Sequence, residues 1–558
     1  MRFGVLCNGP IFQCWQLDAI QHLVAGGHTC ELLIVNANQP VTPGLVEKLI
    51  QYPYSKLLVR LWFRYLMKPA AKELADISGL NLVVPRISCF TFKKGYAEYF
   101  NEADLATIKS YKLDFILRFG FSILKGEILD SAKYGIWSYH HDDDRKYRGV
   151  PTGFWEIMFG DPVNAAILQR LTSKLDSGVI LHKAYFGTIF HSWEANFNNL
   201  LKSSTDWPLQ VCTKIESGDT AFLSVTNAPQ SPVYKLPGNL KMLRFLLKLL
   251  YYKARFHFRD LFITEKWNVG IIENGTASFL KPGEMILPEP RWLELKSKRY
   301  QYHADSFGFT KDGYIHIICE EYDYKRSKGI LISLQLDIHS LELIRRTVAL
   351  ELGYHLAYPF LFEYKGTYYC IPENSEGGKV DLYFFDTDSG KLIFEQTLVE
   401  DLQAVDPSVC FYNGFWWLFF TDRTSTNERL HIWFSADLKG EYTPHANNPV
   451  KVDIRSSRPA GNPFVIDGML YRPAQDCSGR SGRRIAVNKV IALSPRVFEE
   501  VVYTIINPPP KSKWNDGMHT ISVSENAIIV DGKKECFIWP AVTHKIKLKV
   551  KRKINGAK

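Results

Sequence analysis

The pattern of apolar and polar positions changes texture twice along the chain. Phe3 to Cys7 is a continuous apolar run that predicts a buried strand, and Phe12 to Ala25 has the 3.6-residue period of a helix. Gly26-Gly27-His28 stops that helix, and Cys30 to Val35 is a second apolar run. Strand, helix and strand in this order predict a βαβ opening. Asp114 to Phe119 and Tyr134 to Tyr139 add further strands, and helix and strand signals alternate to about Thr188. Residues 1–220 are therefore expected to form a doubly wound α/β domain, with ligands at the carboxyl ends of a mostly parallel sheet. Leu57 to Met67 is a basic amphipathic stretch within it. From Trp193 to Arg259 the pattern is helical, and residues 221–262 are read as a connector. Leu240 to Phe256 mixes apolar positions with Lys241, Arg244, Lys248, Lys253 and Arg255, as in a helix buried between domains or one that lies on an anionic membrane.

Beyond Trp267 the chain turns to short aromatic-rich strands with a repeat. Asp312-Gly313, Lys365-Gly366, Asn413-Gly414 and Asp467-Gly468 recur about fifty residues apart, the spacing of four-stranded propeller blades. Similar strands precede them: Asp305-Ser-Phe-Gly-Phe, Tyr358-Pro-Phe-Leu-Phe, Asp406-Pro-Ser-Val-Cys-Phe and Asn462-Pro-Phe-Val-Ile. Polar endings follow at Glu320-Glu321, Glu373-Asn374, Thr421-Asp422 and Gln475-Asp476. A fifth unit runs from His519 to a turn at Asp531-Gly532, and Trp267 to Ile272 is expected to close it. Residues 263–540 are thus expected to form an all-β five-bladed propeller, with Asp305, Glu373, Asp406 and Asp476 in a polar ring. In the basic tail, 541–558, Lys547, Lys549 and Lys551 alternate with Ile546, Leu548 and Val550, which reads as a frayed or edge-strand terminus kept soluble by charge.

Composition narrows the function. The 558 residues exceed one core, and 14% aromatic residues suit sheets and sugar-stacking surfaces. A net charge of +10 favours anionic partners but is modest for this length, and nucleic acid is not expected. Ten scattered cysteines form no CxxC pair and no zinc spacing, so neither a disulfide framework nor a metal is expected. The start lacks the apolar stretch of a signal peptide and no run reaches about 18 apolar residues, so a cytoplasmic protein with at most peripheral membrane contact is expected. No GxGxxG follows the first strand, which argues against a dinucleotide.

The segment richest in chemistry is Trp137-Ser-Tyr-His-His-Asp-Asp-Asp-Arg-Lys-Tyr-Arg-Gly-Val-Pro, at the exit of a predicted strand. Its acidic run reads as a solvated loop, as an attractor of an aminosugar ammonium, or with its histidines as ligands of a divalent ion. The segment resembles the folate-dependent formyltransferase pattern Asn-x-His-x-Ser-Leu-Leu-Pro-x-Tyr/Trp-Arg-Gly-x-x-Pro, with His140 on the catalytic His and Tyr147-Arg148-Gly149 on the Tyr-Arg-Gly. Leu175-Asp176-Ser177-Gly178 resembles the family's Leu-Asp-x-Gly, and the segment from Arg118 to Leu129 resembles the one leading into the folate pocket.

The resemblance implies 10-formyltetrahydrofolate as donor, an amine acceptor on a small molecule or glycan, His140 as acid/base and Asp176 as its catalytic partner. It implies binding roles for Phe119, Gly120, Phe121, His141, Asp142, Arg148 and Gly149. Ser138 stands where the family has its oxyanion-donating Asn, and either its hydroxyl or His141 would take that part. A His with an ordinary pKa near 6.5 suits proton transfer at neutral pH.

The second half is similar to the N-terminal propeller of plant glucosamine inositolphosphorylceramide transferases, through Ile371-Pro-Glu-Asn, Asp406-Pro-Ser, Ser457-Arg-Pro-Ala-Gly, Tyr471-Arg-Pro-Ala-Gln-Asp-Cys and Gly517-Met-His-Thr. That module is related to arabinanase-type glycosidases, which use separated carboxylates. Formyl transfer to an aminosugar is the leading expectation. A catalytically altered glycan binder of polysaccharide or glycolipid assembly and a propeller glycosidase are the alternatives.

Overall fold

The computed structural model describes residues 1–38, 54–80, 82–173, 178–224, 231–273, 280–524 and 527–555. The chain forms two compact units, Met1–Lys253 and Ala254–Lys558.

The first unit is built on a seven-stranded sheet in the order Val179–Gly187, Val163–Arg170, Ile136–His140, Phe115–Arg118, Arg2–Cys7, Thr29–Asn36, Arg86–Cys89. The last five run parallel; Val163–Arg170 runs against them, and Val179–Gly187 pairs antiparallel with it. Parallel strands are covered on both faces, which is why Phe3 to Cys7 is apolar without alternation and buried throughout. The first helix, Cys14–Ala25, buries Trp15, Leu17, Ala19, Ile20 and Leu23. It starts two residues later than its period suggests, because Ile11–Gln13 pairs as a short strand with Leu74–Asp76. The predicted helical stretch resolves into Trp193–Lys202, Trp207–Glu216 and Asn239–Phe262. The last of these buries Met242 and Phe245 in a cluster with Val59, Trp62 and Phe154.

Among the described residues the second unit consists of five sheets. The first three run in chain order: Gln301–Lys311 to Thr347-bearing Leu343–Leu350, Ala357–Tyr364 to Lys391–Val399, and Ala404–Tyr412 to Thr443–Pro444. The fourth is built around Met469–Asp476, Arg484–Leu493 and Phe498–Asn507. In the fifth, Thr264–Glu273 pairs antiparallel along its whole length with Ala527–Cys536, so the strand that opens the unit completes its last sheet. The four anticipated hairpin turns are present. Both residues of Asp312-Gly313, Lys365-Gly366, Asn413-Gly414 and Asp467-Gly468 have positive φ, as a two-residue type I′ turn requires.

Two expectations are corrected. Asp531-Gly532 is not a turn but lies mid-strand, opposite Val269 and Asn268. The basic tail is not an edge strand: Trp539–Asn555 is a helix, anchored by buried Ala541 and Val542 and by Lys545 Nζ on the carbonyls of Asp260 and Ile263. Lysine favours helix, and burial of the first turn overrides the two-residue alternation that follows it. Among the described residues no helix is long and apolar enough to cross a membrane.

Candidate functional site

In the first unit the parallel register sets Ser138 opposite Arg118. Partners in register share a face, and His140, two residues on, returns to it. Arg118 Nη1 donates to Ser138 Oγ at 3.0 Å, while Nη2 donates to the carbonyls of Phe121 at 3.2 Å and Ser122 at 2.6 Å. Its Nε is buried and has no partner among the described residues. Burial lowers the guanidinium pKa, partly offset by Glu98. Arg118, Ser138, His140, Gln169, Thr172 and Gly178 line a cavity of about 180 Å³. A desolvated guanidinium with a spare N–H is an anion receptor, so the pocket combines an anion donor with an imidazole.

The carboxylate set beside His140 is Asp142, with Oδ2 3.8 Å from Nε2. Asp176, the partner implied by the resemblance, lies outside the described residues. Burial, with Glu156 adding, holds the Asp142 carboxyl well above the ordinary range. Glu156 is wholly buried, both its carboxyl oxygens lack partners among the described residues, and burial pushes it up to about 8. The acidic run is therefore not a solvated loop: Asp142, Asp143 and Asp144 are 3%, 6% and 8% exposed. Lys183 Nζ bonds Asp143 at 2.8 Å and Asp144 at 2.5 Å, which supplies the counter-charge that such burial demands.

The other anticipated residues take varied places. His141 packs parallel to Tyr139 and edge-on to Trp15, its Nε2 is 3.1 Å from Ser204 Oγ, and burial lowers its pKa to about 3, so it stays neutral. Phe119 packs on Phe12, Trp15 and Tyr139. Gly120 lies so close to Cys7 that a Cβ would sit 2.6 Å from its backbone, and Phe121 adopts φ +62° against Phe100. Arg148–Gly149 pairs with Val233–Tyr234, where a Cβ on Gly149 would come within 2.0 Å of the Tyr234 carbonyl oxygen. The Arg-Gly motif therefore has a backbone reason of its own. Arg118, Gln169 and Glu156 escaped the sequence reading as site residues. A charged residue closing the apolar strand Phe115–Arg118 was the signal for Arg118.

In the second unit the first strands of three consecutive sheets share one irregularity. Register shifts fall between Ala304 and Phe307, Ala357 and Phe360, and Val405 and Ser408. Within them Asp305, Tyr358 and Asp406 have φ of 54°, 41° and 51°. Each bulge releases a backbone N–H from the ladder, and each N–H finds a carboxylate: Asp305 donates to Asp531 at 3.2 Å, Tyr358 to Asp305 at 3.2 Å and Asp406 to Glu373 at 3.3 Å. From the fourth sheet region, Arg458 Nε and Gln475 Nε2 donate to Asp406 at 2.6 and 2.8 Å.

Groups from all five sheets thus meet in one network, which brings together Asp305, Glu373 and Asp406. Asp476 does not join it. Its carboxylate accepts from Arg484 and from the Ser478 backbone, and the adjacent Gln475 reaches Asp406 instead. Burial, with Asp406 and Asp531 adding and His519 opposing, raises Asp305 to about 6. Burial and Asp406 raise Glu373 to about 8. His519, stacked on Trp267 at 3.9 Å, bridges Asp305 and Asp531; burial pulls its pKa down, but the two carboxylates outweigh this and leave it raised. Donor atoms of Asp305, His519 and Asp531 lie within 4.8 Å of one another, near enough to hold a cation, but here they pair with each other. Asp531, His519 and Arg458 were not anticipated. Their spacing alone does not mark them, because Arg458 meets Asp406, and His519 and Asp531 meet Asp305, across different sheets.

Residues 296–526, less than half of the chain, match the family described as glucosamine inositolphosphorylceramide transferase 1, N-terminal. The transferase of that name from Arabidopsis thaliana is 35% identical over 177 residues, covering 30% of this chain and 23% of its own. The one from Oryza sativa subsp. japonica is 35% identical over 160 residues, covering 28% and 21%. The methionyl-tRNA formyltransferase of Prochlorococcus marinus (strain MIT 9515) is 23% identical over 283 residues, covering 49% of this chain and 77% of that one. The chain spans about a fifth of the length of the plant relatives it matches. Its N-terminal half is similar to a methionyl-tRNA formyltransferase and its C-terminal region to the N-terminal part of glucosamine inositolphosphorylceramide transferases.

Proposed function

We propose that this chain is a transferase of glycan or glycolipid assembly whose first unit moves a formyl group from 10-formyltetrahydrofolate to the amine of an aminosugar. In this reading its second unit is a five-bladed propeller that holds the sugar. The observation that carries this is the convergence of Arg118, Ser138 and His140 at the carboxyl ends of adjacent parallel strands, with the Arg118 Nε–H unpartnered among the described residues. The donor supplies a formyl carbon on a nitrogen that leaves once protonated. His140 takes the proton that the amine loses as its bond to the formyl carbon forms, and returns it to the departing nitrogen. Arg118 and Ser138 face the oxygen on which negative charge develops, the part that an Asn plays in the resembled family. Asp142, its Oδ2 3.8 Å from the His140 Nε2, is the acidic group beside the imidazole.

The test is calorimetric binding of a stable 10-formyltetrahydrofolate analogue, followed by mass spectrometry of aminosugar nucleotides incubated with enzyme and donor. Gain of a formyl group, lowered about a hundredfold or more in kcat by His140→Ala and by Arg118→Ala, is the expected result. Binding of the analogue without transfer would favour a folate-retaining glycan binder, and absence of both would remove the proposal.

A second reading rests on Glu373, held at about 8 next to Asp406. A carboxyl that keeps its proton at neutral pH beside one that accepts from Arg458 offers an acid and a base for glycoside hydrolysis. Sugar release abolished by Glu373→Gln and untouched by His140→Ala would select it.

A further inference from the structure

The helix Asn239–Phe262 carries two apolar faces, and among the described residues only one is covered. Met242 and Phe245 are fully buried; on the far side Leu240, Leu243, Leu247, Leu250 and Tyr251 are 64%, 48%, 58%, 65% and 58% exposed. With 3.6 residues per turn these five fall within an arc of about 100°, roughly opposite Met242 and Phe245. Arg244 and Lys248 border one edge of the arc, with Lys241 beyond them. Lys248 Nζ is fixed on the Met158 carbonyl at 2.7 Å, and Lys241 Nζ lies 5.8 Å from the centre of the Trp155 ring.

A second helical segment of similar character packs beside it. Leu57–Leu61 continues into Trp62–Leu66; Val59 and Trp62 are buried, while Leu57, Leu61, Tyr65 and Leu66 are 41%, 43%, 63% and 64% exposed. Asn239 ties the two together, accepting from the Leu58 N–H at 3.0 Å and donating to the Tyr54 carbonyl at 2.7 Å. The Trp62 and Phe245 rings lie 5.4 Å apart. Neither Tyr54 to Lys72 nor Gly238 to Arg255 contains a single Asp or Glu, whereas the two stretches hold Lys56, Arg60, Arg64, Lys68 and Lys72, and Lys241, Arg244, Lys248, Lys253 and Arg255; Arg259, further on, pairs with Glu535.

We propose that these two helical segments form a docking surface for an anionic phospholipid bilayer, with the exposed leucines entering the headgroup and acyl boundary and the cations resting on the phosphates. Charge decides the occupant. A second copy of the chain would bring like-charged faces together around the leucines, whereas an anionic bilayer neutralises them and covers the apolar arc at the same time. An interfacial segment of this kind lies in the plane of the surface and crosses nothing.

The experiment is co-sedimentation of the full chain with vesicles of phosphatidylcholine alone and of phosphatidylcholine with roughly 30 mol% phosphatidylserine. Binding at least about tenfold stronger to the second is expected, falling as salt shortens the Debye length. Leu247→Ser/Leu250→Ser should lower it about tenfold or more, and Arg244→Glu more than about fivefold, with thermal midpoints unchanged because all three side chains lie off the core. Equal binding to both vesicles, or binding indifferent to the leucine pair, would overturn the proposal. So would sedimentation equilibrium showing a dimer that the leucine pair converts to monomer.

Discussion

Glu156 is a buried acid with no hydrogen-bond partner among the described residues, and its protonation has a stability consequence of definite sign. Its pKa rises from 4.5 to about 8 in the folded protein. Between those values the folded state keeps a proton that the unfolded state has released, so this contribution is full below the unfolded pKa and is lost as pH rises through the folded one. The slope is up to about 1.4 kcal/mol per pH unit. Glu156→Gln cannot ionise, so its thermal midpoint relative to the native protein should climb between pH 5 and pH 8. An identical difference at both pH values would show that Glu156 does not titrate in this way. Asp406 makes a different prediction. Its carboxylate is 2% exposed and answered by Arg458, so Arg458→Ala leaves a buried charge and should cost about 3–5 kcal/mol in denaturant unfolding of the second unit. The Arg458→Ala/Asp406→Asn pair should recover part of that loss, since it removes both charges.

At the scale of elements, the hairpin turns were legible because a two-residue turn with positive φ has a local chemical requirement that Asp-Gly, Asn-Gly and Lys-Gly satisfy. Asp531-Gly532 shows where such local reading stops. The same dipeptide sits mid-strand, where the Asp531 carboxylate accepts the N–H groups of His519 and Thr520 and a Gly532 Cβ would sit 2.3 Å from the Trp292 ring. Of the three readings of the acidic run after His140, the solvated loop fails for the same reason, because Lys183, which neutralises the run, lies on another strand. The parallel sheet and the first helix were legible from period alone, whereas the Arg118–Ser138 contact required the register of two strands. Gly461 offers an element-scale test. It bridges to Ile521, joining segments of the fourth and fifth sheet regions, has φ +138°, and a Cβ there would lie 1.8 Å from the Ile521 carbonyl oxygen. Gly461→Ala should therefore lower stability by about 3 kcal/mol or more, read from the shift in denaturation midpoint.

For the molecule as a whole, the two units have separate cores. The seven-stranded sheet draws all its strands from the first 187 residues, and the five sheets draw theirs from 264 onward. Ending the chain after Val523 removes the strand Ala527–Cys536 and leaves Thr264–Glu273 without its long partner. The second unit should then lose its cooperative unfolding transition while the first retains its own, a separation that limited proteolysis with mass mapping would display. Equal protease resistance of the second unit in the shortened and full chains would contradict it. The same pairing imposes an order on biosynthesis. Thr264–Glu273 leaves the ribosome with its edge open and must wait for almost the whole of the remaining chain before Ala527–Cys536 arrives. At translation speeds of about 5–20 residues per second that wait lasts roughly ten to fifty seconds. A nascent chain with an unpaired apolar edge for so long is a natural client for a holding chaperone, and stalled translation near residue 520 would yield an aggregation-prone product despite containing four of the five sheets.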